Sequence, residues 1–298
     1  MVSFALYPGN MKNEVIPIMN KLVSIVLALS AAALLFPGEL SAQVQIQTRK
    51  LKISDFTTCT TRVVLGGNEI FNISLQEEVA RRWMASPFEF CSVEEYEASK
   101  TDSKYYFLVP QSRLTRQETE PGINVLTLVK GGKGDEALEV VSVPYSPSES
   151  PGGRELVFLP AILSIIQSFT LDAMSSDKVS LKGLEGYAAG MGKARKSRVV
   201  VSSGDVAPCA AGSALLKGRS LELLAEDDAD AVFEAGEPGT LVTYTVSPSY
   251  PQKGAVSYTY LIGADNYKLY YFASHKAKDA SKCGYTAKDL KKIGGGKK

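Results

Sequence analysis

The stretch Ser86–Pro110, SPFEFCSVEEYEASKTDSKYYFLVP, decides the fold. Pro87 fixes the approach to FEFC, Phe88–Cys91, a short run that reads as a strand. Ser92 followed three residues later by Glu95 is a capping box, so a helix starts there and ends near Thr101. YYFLVP, Tyr105–Pro110, is the next strand. The same order returns in RSLELLAEDDADAVFEAGEPGTLVTYTVSP, Arg219–Pro248. LELL, Leu221–Leu224, stands for FEFC. An acidic helix from Asp227 to Ala235 stands for the capped one, although Ala225 replaces Ser92 and cannot cap it. TLVTYTV, Thr240–Val246, stands for the closing strand.

The correspondence extends in both directions. RVVLGG, Arg62–Gly67, is a short strand ended by glycines. Phe71, Leu75, Val79 and Trp83 then repeat on one helical face. SRVVVSSGDV, Ser197–Val206, matches TRVVLGGNEI, Thr61–Ile70, through its Arg-Val-Val core, and predicts a helix over about Val206–Lys217. INVLTLV (Ile123–Val129) and ALEVVSV (Ala137–Val143) flank a Gly/Lys turn and make a hairpin. AVSYTYLIGADNYKLYYFAS, Ala255–Ser274, makes the second. Between the halves, SPSESPGG (Ser146–Gly153) is a linker by composition. Leu159, Ile162, Leu163, Ile166 and Phe169 follow helical spacing over Glu155–Met174. Pro160, Ser164, Gln167 and Ser168 interrupt that apolar run, which favours a buried connecting helix over a membrane span. The expectation is an α+β fold of two related βαβαβ-meander lobes, an internal repeat, joined by a long apolar helix. The lobes are 43–145 and 181–298, with linker and helix at 146–180.

At the N-terminus, Met19-Asn20-Lys21 precedes LVSIVLALSAAALLF, Leu22–Phe36. Pro37 and Gly38 break that run, and LSA ends at Ala42. A charged start, an apolar run and a small residue at the cut describe a signal peptide over 19–42. The run is shorter than the roughly twenty residues that span a bilayer. Residues 1–18, upstream of a second Met, read as an over-extended start. No Cys follows Ala42, unlike a lipoprotein signal. The mature chain would begin at Gln43, be periplasmic or secreted, and keep no integral membrane segment.

The chain has 298 residues, 45% hydrophobic and 22% charged, which is enough apolar material for a sizeable core. With 33 Lys plus Arg against 32 Asp plus Glu, the net charge of +1 offers no field for nucleic acid. The basic cluster KARKS, Lys193–Ser197, reads as a solvated turn.

Each half resembles a small α/β domain of bacterial envelope proteins. The amino-terminal domain of the translocation protein of the Tol–Pal system is one, and the core of curli-type secretion lipoproteins is another. FEFCSVEEYEASKTDSKYYFLV and LVTYTV…YTYLIGADNYKLYYF carry the likeness, a strand entering an acidic helix followed by a meander. IGADNYKLYY, Ile262–Tyr271, lacks the Gly those families often place in the hairpin turn. The chain also resembles exported proteins of Bacteroidetes-type bacteria. These resemblances imply an envelope location and protein–protein work; they are fold-level and carry no catalytic motif. The expected partner is an envelope protein or a small ligand.

The chemistry on offer is sparse. His275 is the single histidine. It lies in ASHKAKDASKCG, a polar stretch that reads as a solvated tail, with Cys283 the nearest thiol and no G-x-S-x-G elbow. Cys59, Cys91, Cys209 and Cys283 lack zinc spacing. EDDAD, Glu226–Asp230, lacks the glycine turn of an EF-hand and suits the first turn of a helix. In GLEGYAAGMGKARKS, Tyr187 and Ala194 occupy two required positions of a phosphate loop. No catalytic residue, cofactor site or metal site is assigned. The candidate partner-binding surface is the second hairpin, through Tyr258, Tyr260, Tyr270 and Phe272, unless a helix covers that face. The leading expectation is a non-catalytic binding or scaffold protein of the envelope. The alternative is a hydrolase with an unrecognised carboxylate site in the inter-lobe groove. Cys59 and Cys91 are expected not to pair, because a helical crossover makes their strands parallel.

Overall fold

β1 (Thr60–Leu65) alternates half-buried and buried residues as far as Val63, and Val64 is buried on the opposite face. It feeds α1 (Glu69–Arg82), capped by the Asn68 side chain accepting from the Phe71 amide at 3.0 Å. β2 (Phe88–Ser92) pairs parallel to β1, and β3 (Tyr105–Arg113) pairs parallel to β1 on its other side. Between them, α2 (Val93–Ser99) starts on the Ser92–Glu95 capping box. β4 (Ile123–Lys130) and β5 (Leu138–Pro147) complete an antiparallel meander. The structure, a computed structural model, describes residues 52–294 except 116, 135, 136, 150, 195, 218 and 219. The segment 19–42 expected to be a signal peptide, and residues 1–18 read as an over-extended start, lie outside the described residues.

Next come α3 (Arg154–Ser175), α4 (Asp177–Tyr187) and a second sheet. Its strands are β6 (Arg198–Ser202), β7 (Glu222–Leu224), β8 (Thr240–Val246), β9 (Val256–Gly263) and β10 (Leu269–Lys276), with α5 (Glu226–Glu234) between β7 and β8. The fold is thus mixed α+β with two five-stranded mixed sheets. The orders are β2-β1-β3-β4-β5 and β7-β6-β8-β9-β10, with parallel pairs at β1 and β6 and antiparallel ones elsewhere. Arg62 reaches Glu89 on the neighbouring strand, and Arg198 reaches Glu222 on its neighbour.

One core runs through both sheets. Val63, Tyr106 and Leu108 of the first sheet, Phe158, Ile162 and Phe169 of α3, and Val242, Tyr258 and Tyr260 of the second belong to a single buried cluster. The Tyr260 hydroxyl donates to the Pro144 carbonyl at 2.9 Å, and Tyr244 donates to the Tyr145 carbonyl, which ties β8 and β9 to β5. α3 is long and apolar enough to cross a membrane, but its apolar face lies within this core. Gln167, an interruption in the apolar run, accepts from the Met84 and Ala85 amides at 2.7 and 3.1 Å. A buried polar side chain there satisfies the chain leaving α1.

The two sheets turn opposite faces to this core. In the first, α1 contributes Phe71, Leu75 and Val79 to it, while Tyr96 of α2 packs on the outer cluster of Val64, Cys91, Phe107 and Val109. In the second, Ala229 and Phe233 of α5 face inward. The crossover before β7 lies outside, with Val206, Ala207 and Ala210.

That crossover corrects the expected helix over Val206–Lys217. It is three 3-10 turns, Ser203–Asp205, Pro208–Ala210 and Ala214–Lys217. Pro208 drives Ala207 out of the helical region, to φ −57° and ψ 133°. Val206 bridges Tyr285 instead. The stretch Ala273–Gly284, expected to be solvated, is exposed or half-buried but for Ala277 and Gly284, although His275 lies within β10 rather than after it; beyond that stretch the chain returns to the core. Tyr285 is fully buried, and α6 (Ala287–Ile293), capped by Thr286 and Asp289, packs Leu290 and Ile293 on the outer face of the second sheet. Gly284, at φ +108°, permits this return; a Cβ would stand 2.4 Å from the Asp205 carbonyl oxygen. β5 runs to Pro147, into the stretch read as linker.

Candidate ligand groove

The four hairpin aromatics do not form a surface. Tyr258 is 2% exposed and Tyr260 0%. Every residue of β9 is buried, because the α3 core covers one face and α6 the other. Phe272 is half-buried against Tyr260, with ring centroids 4.9 Å apart. Tyr270 packs against the outer cluster, whereas Phe272 packs against the inner one. A register shift between Leu269 and Tyr271 breaks the strict alternation that would put both on one face. The expectation of an aromatic docking face on this hairpin is therefore corrected.

The polar positions of α3 reveal a different feature. Ser164, Ser168, Leu171 and Asp172 fall on one side of the helix. They line a groove of about 660 Å³, within the size range of small-molecule sites. Its far walls are Tyr187 at the end of α4, Ala189, Lys193, and the β9–β10 turn from Asn266 to Leu269. A second, more apolar groove of about 700 Å³ begins on the other side of Leu171, beside Trp83, Met84 and Phe88.

Local folding explains the walls. Tyr187 stacks edge-on against Phe169 with centroids 5.4 Å apart and bonds Ser168. Burial, reinforced by the charge of Asp172, pushes its hydroxyl up to about 12. The chain after α4 is pinned to β10 by amides of Ala189 and Gly190, which donate to the carbonyls of Leu269 and Tyr270, each at 2.9 Å. Tyr267 has φ +53°, the one non-glycine residue with positive φ among those described. The hairpin turn thus puts an aromatic residue in the left-handed region, at about 1–3 kcal/mol. Its ring is held beneath Arg82 at 5.0 Å and packs near Phe233 at 5.8 Å. Lys193, Lys268 and Asp172 have no ion-pair partner among the described residues. Asp172 is the one carboxylate among the described residues that line the groove.

The other concentration of charge lies at the carboxyl end of β6. Arg154, first residue of α3, grips Asp230 through Nε and Nη2 at 2.7–3.0 Å and donates from Nη1 to Asp205 at 2.9 Å. Glu226 stands 3.3 Å away. The guanidinium lies over the rings of Phe158 and Tyr244. Burial opposes its charge, but Asp205 and Asp230 outweigh that and raise its pKa. Glu226 is raised by burial and by the same two aspartates, against the pull of Arg154. Thr243 donates to Asp205 at 2.7 Å and accepts from the Ser202 amide at 2.9 Å. The Ser202 hydroxyl is buried without a partner. This network clamps α3 to the turn after β6 and to α5, and both of its buried carboxylates are engaged by Arg154.

The His275 Nε2 donates to the Lys282 carbonyl at 2.7 Å, so the ring is tied to its own loop rather than to a nucleophile. All four cysteines are free. Cys91 sits beside Val64 in the parallel β1–β2 pair, five residues along from Cys59. At about 3.3 Å per residue that is some 16 Å, beyond disulfide reach. Among the described residues no group of three or more His, Cys, Asp or Glu is arranged to hold a metal. No family model, curated protein or solved structure matches this chain.

Proposed function

We propose that this chain is an extracytoplasmic binding or scaffold protein of the bacterial cell envelope, working without catalysis, with the groove along α3 as its ligand site. The observation that carries the reading is that groove: a pocket of ligand size whose charged lining groups, Lys193, Lys268 and Asp172, have no counter-ion among the described residues. Export is supported by the charged start, the apolar run Leu22–Phe36 and the small residues before Gln43. The chain is further read as two copies of one βαβαβ-meander unit with α3 as the link. Identical strand orders support that, as do two Arg–Glu pairs at matching places in the repeated motifs, Arg62–Glu89 and Arg198–Glu222.

The test is native mass spectrometry of the full-length protein expressed in its host and recovered from the envelope fraction. The mature N-terminus should be Gln43 or within a few residues of it, and a bound mass should be lost on Ser168→Phe, which fills the groove. Intact Met19 on cytoplasmic protein would overturn the location. A bound mass undiminished in Ser168→Phe would overturn the site.

A further inference from the structure

Two cations and one anion face the groove, and they are not symmetrically placed in the chain. Lys193 follows the glycine-rich segment after α4, and Lys268 ends the strained turn at Tyr267; Asp172 belongs to α3. The lysines therefore arrive from the two elements that the Ala189–Leu269 and Gly190–Tyr270 hydrogen bonds hold together. Arg82, over the Tyr267 ring, is already paired with Glu78, so the two lysines are the cations free to meet a ligand. A glycine-rich segment ending in Lys193 fails as a phosphate loop for lack of the required glycine and hydroxyl. Its lysine nonetheless lines a pocket, in company with a second lysine.

We propose that the groove takes a small oxyanionic ligand, with its carboxylate or phosphate held by Lys193 and Lys268 and its hydroxyl-bearing body lying along Ser164, Ser168 and Asp172. The inference rests on the groove being a ligand site. Lysine ammonium groups are strong point-charge partners for such anions. Hydroxyl and carboxylate groups along α3 suit a polar body better than a hydrocarbon one. Carboxylate and phosphate share this chemistry, so the source of the anion is left to the binding series.

The experiment is an NMR titration of the full chain, exported and processed, at fixed ionic strength with four probes: galacturonate, citrate, glucose-6-phosphate and neutral glucose. Ser168, Asn266 and Lys268 amides report the groove. Galacturonate and citrate against glucose-6-phosphate separate the two anion sources. At least one anion should shift these amides, with neutral glucose binding at least about tenfold more weakly. Lys193→Ala and Lys268→Ala should each weaken binding about two- to fivefold, the range of exposed charge pairs. Asp172→Asn, which removes a like charge, should strengthen it. Lys288→Ala, far along the chain on α6, should do neither. Glucose binding as well as the anions, or anion binding indifferent to both lysine variants, would overturn the charge assignment and leave the groove as a ligand site. No probe shifting groove amides at about 10 mM, a Kd limit near −3 kcal/mol, would overturn both.

Discussion

Replacing Arg154 with Met keeps much of the stem that packs on Phe158 and Tyr244 but removes the guanidinium. Asp205, whose side chain is 1% exposed, then loses its counter-charge, and Asp230, at 11%, loses a bidentate partner. Breaking a buried pair from one side costs about 3–5 kcal/mol, because the remaining charge stays desolvated. At about 2–4 °C per kcal/mol for a chain of this size, Tm should fall by roughly 6–20 °C. Urea unfolding followed by the fluorescence of Trp83, the single and buried tryptophan, measures the loss directly. Adding Asp205→Asn and Asp230→Asn to the variant should recover at least about half of it, because a neutral amide left unpaired costs less than a carboxylate. A single-variant loss under about 1 kcal/mol would refute the idea that this clamp is buried and unrelieved by water.

Three further outcomes follow from the same region and from the first sheet. Ser202→Ala, which removes an unpartnered buried hydroxyl, should leave stability unchanged or raise it by about 1 kcal/mol; a loss above that would mean the hydroxyl has a partner. Glu226→Gln should be at least as stable as the parent near neutral pH. With the folded pKa raised, protonation favours the fold, so the parent's disadvantage is absent below the ordinary glutamate value of about 4.3 and opens as pH rises through the raised one. A variant less stable than the parent at pH 7 contradicts this. Non-reducing peptide mapping should find no Cys59–Cys91 cross-link; finding one would be incompatible with the parallel β1–β2 register.

Local rules carried the fold a long way. The Ser92–Glu95 box, the four-residue spacing of Phe71, Leu75 and Val79, and the alternation along β1 each act within a few residues, and each element formed where they pointed. The failures lie where distant chain decides. Val206–Lys217 had helical composition, yet Pro208 and the bridge to Tyr285, nearly eighty residues on, turned it into 3-10 turns. α6 carried a readable signal, Thr286 with Asp289 and then Leu290 and Ile293, but its lysines concealed an apolar face that only the second sheet explains. The groove was legible only as an anomaly: the serines at 164 and 168 were seen as breaks in an apolar helix, and nothing local brings Lys193 and Lys268 to them. Tyr270 was misplaced because one bulge reverses the sidedness of a strand.

The opposed orientation of the two sheets makes their association head-to-tail. The first sheet turns its α1 side inward, and the second turns its α5 side inward, so the outermost face of the second is the type that the first uses for contact. Such an arrangement does not close on itself; geometrically, a further sheet could stack there. α6 and the Gly284–Tyr285 return occupy that place and act as an end-cap. A chain cut after Lys276 would lay bare Val199, Val201, Leu241 and Leu261, and would be expected to polymerise end to end.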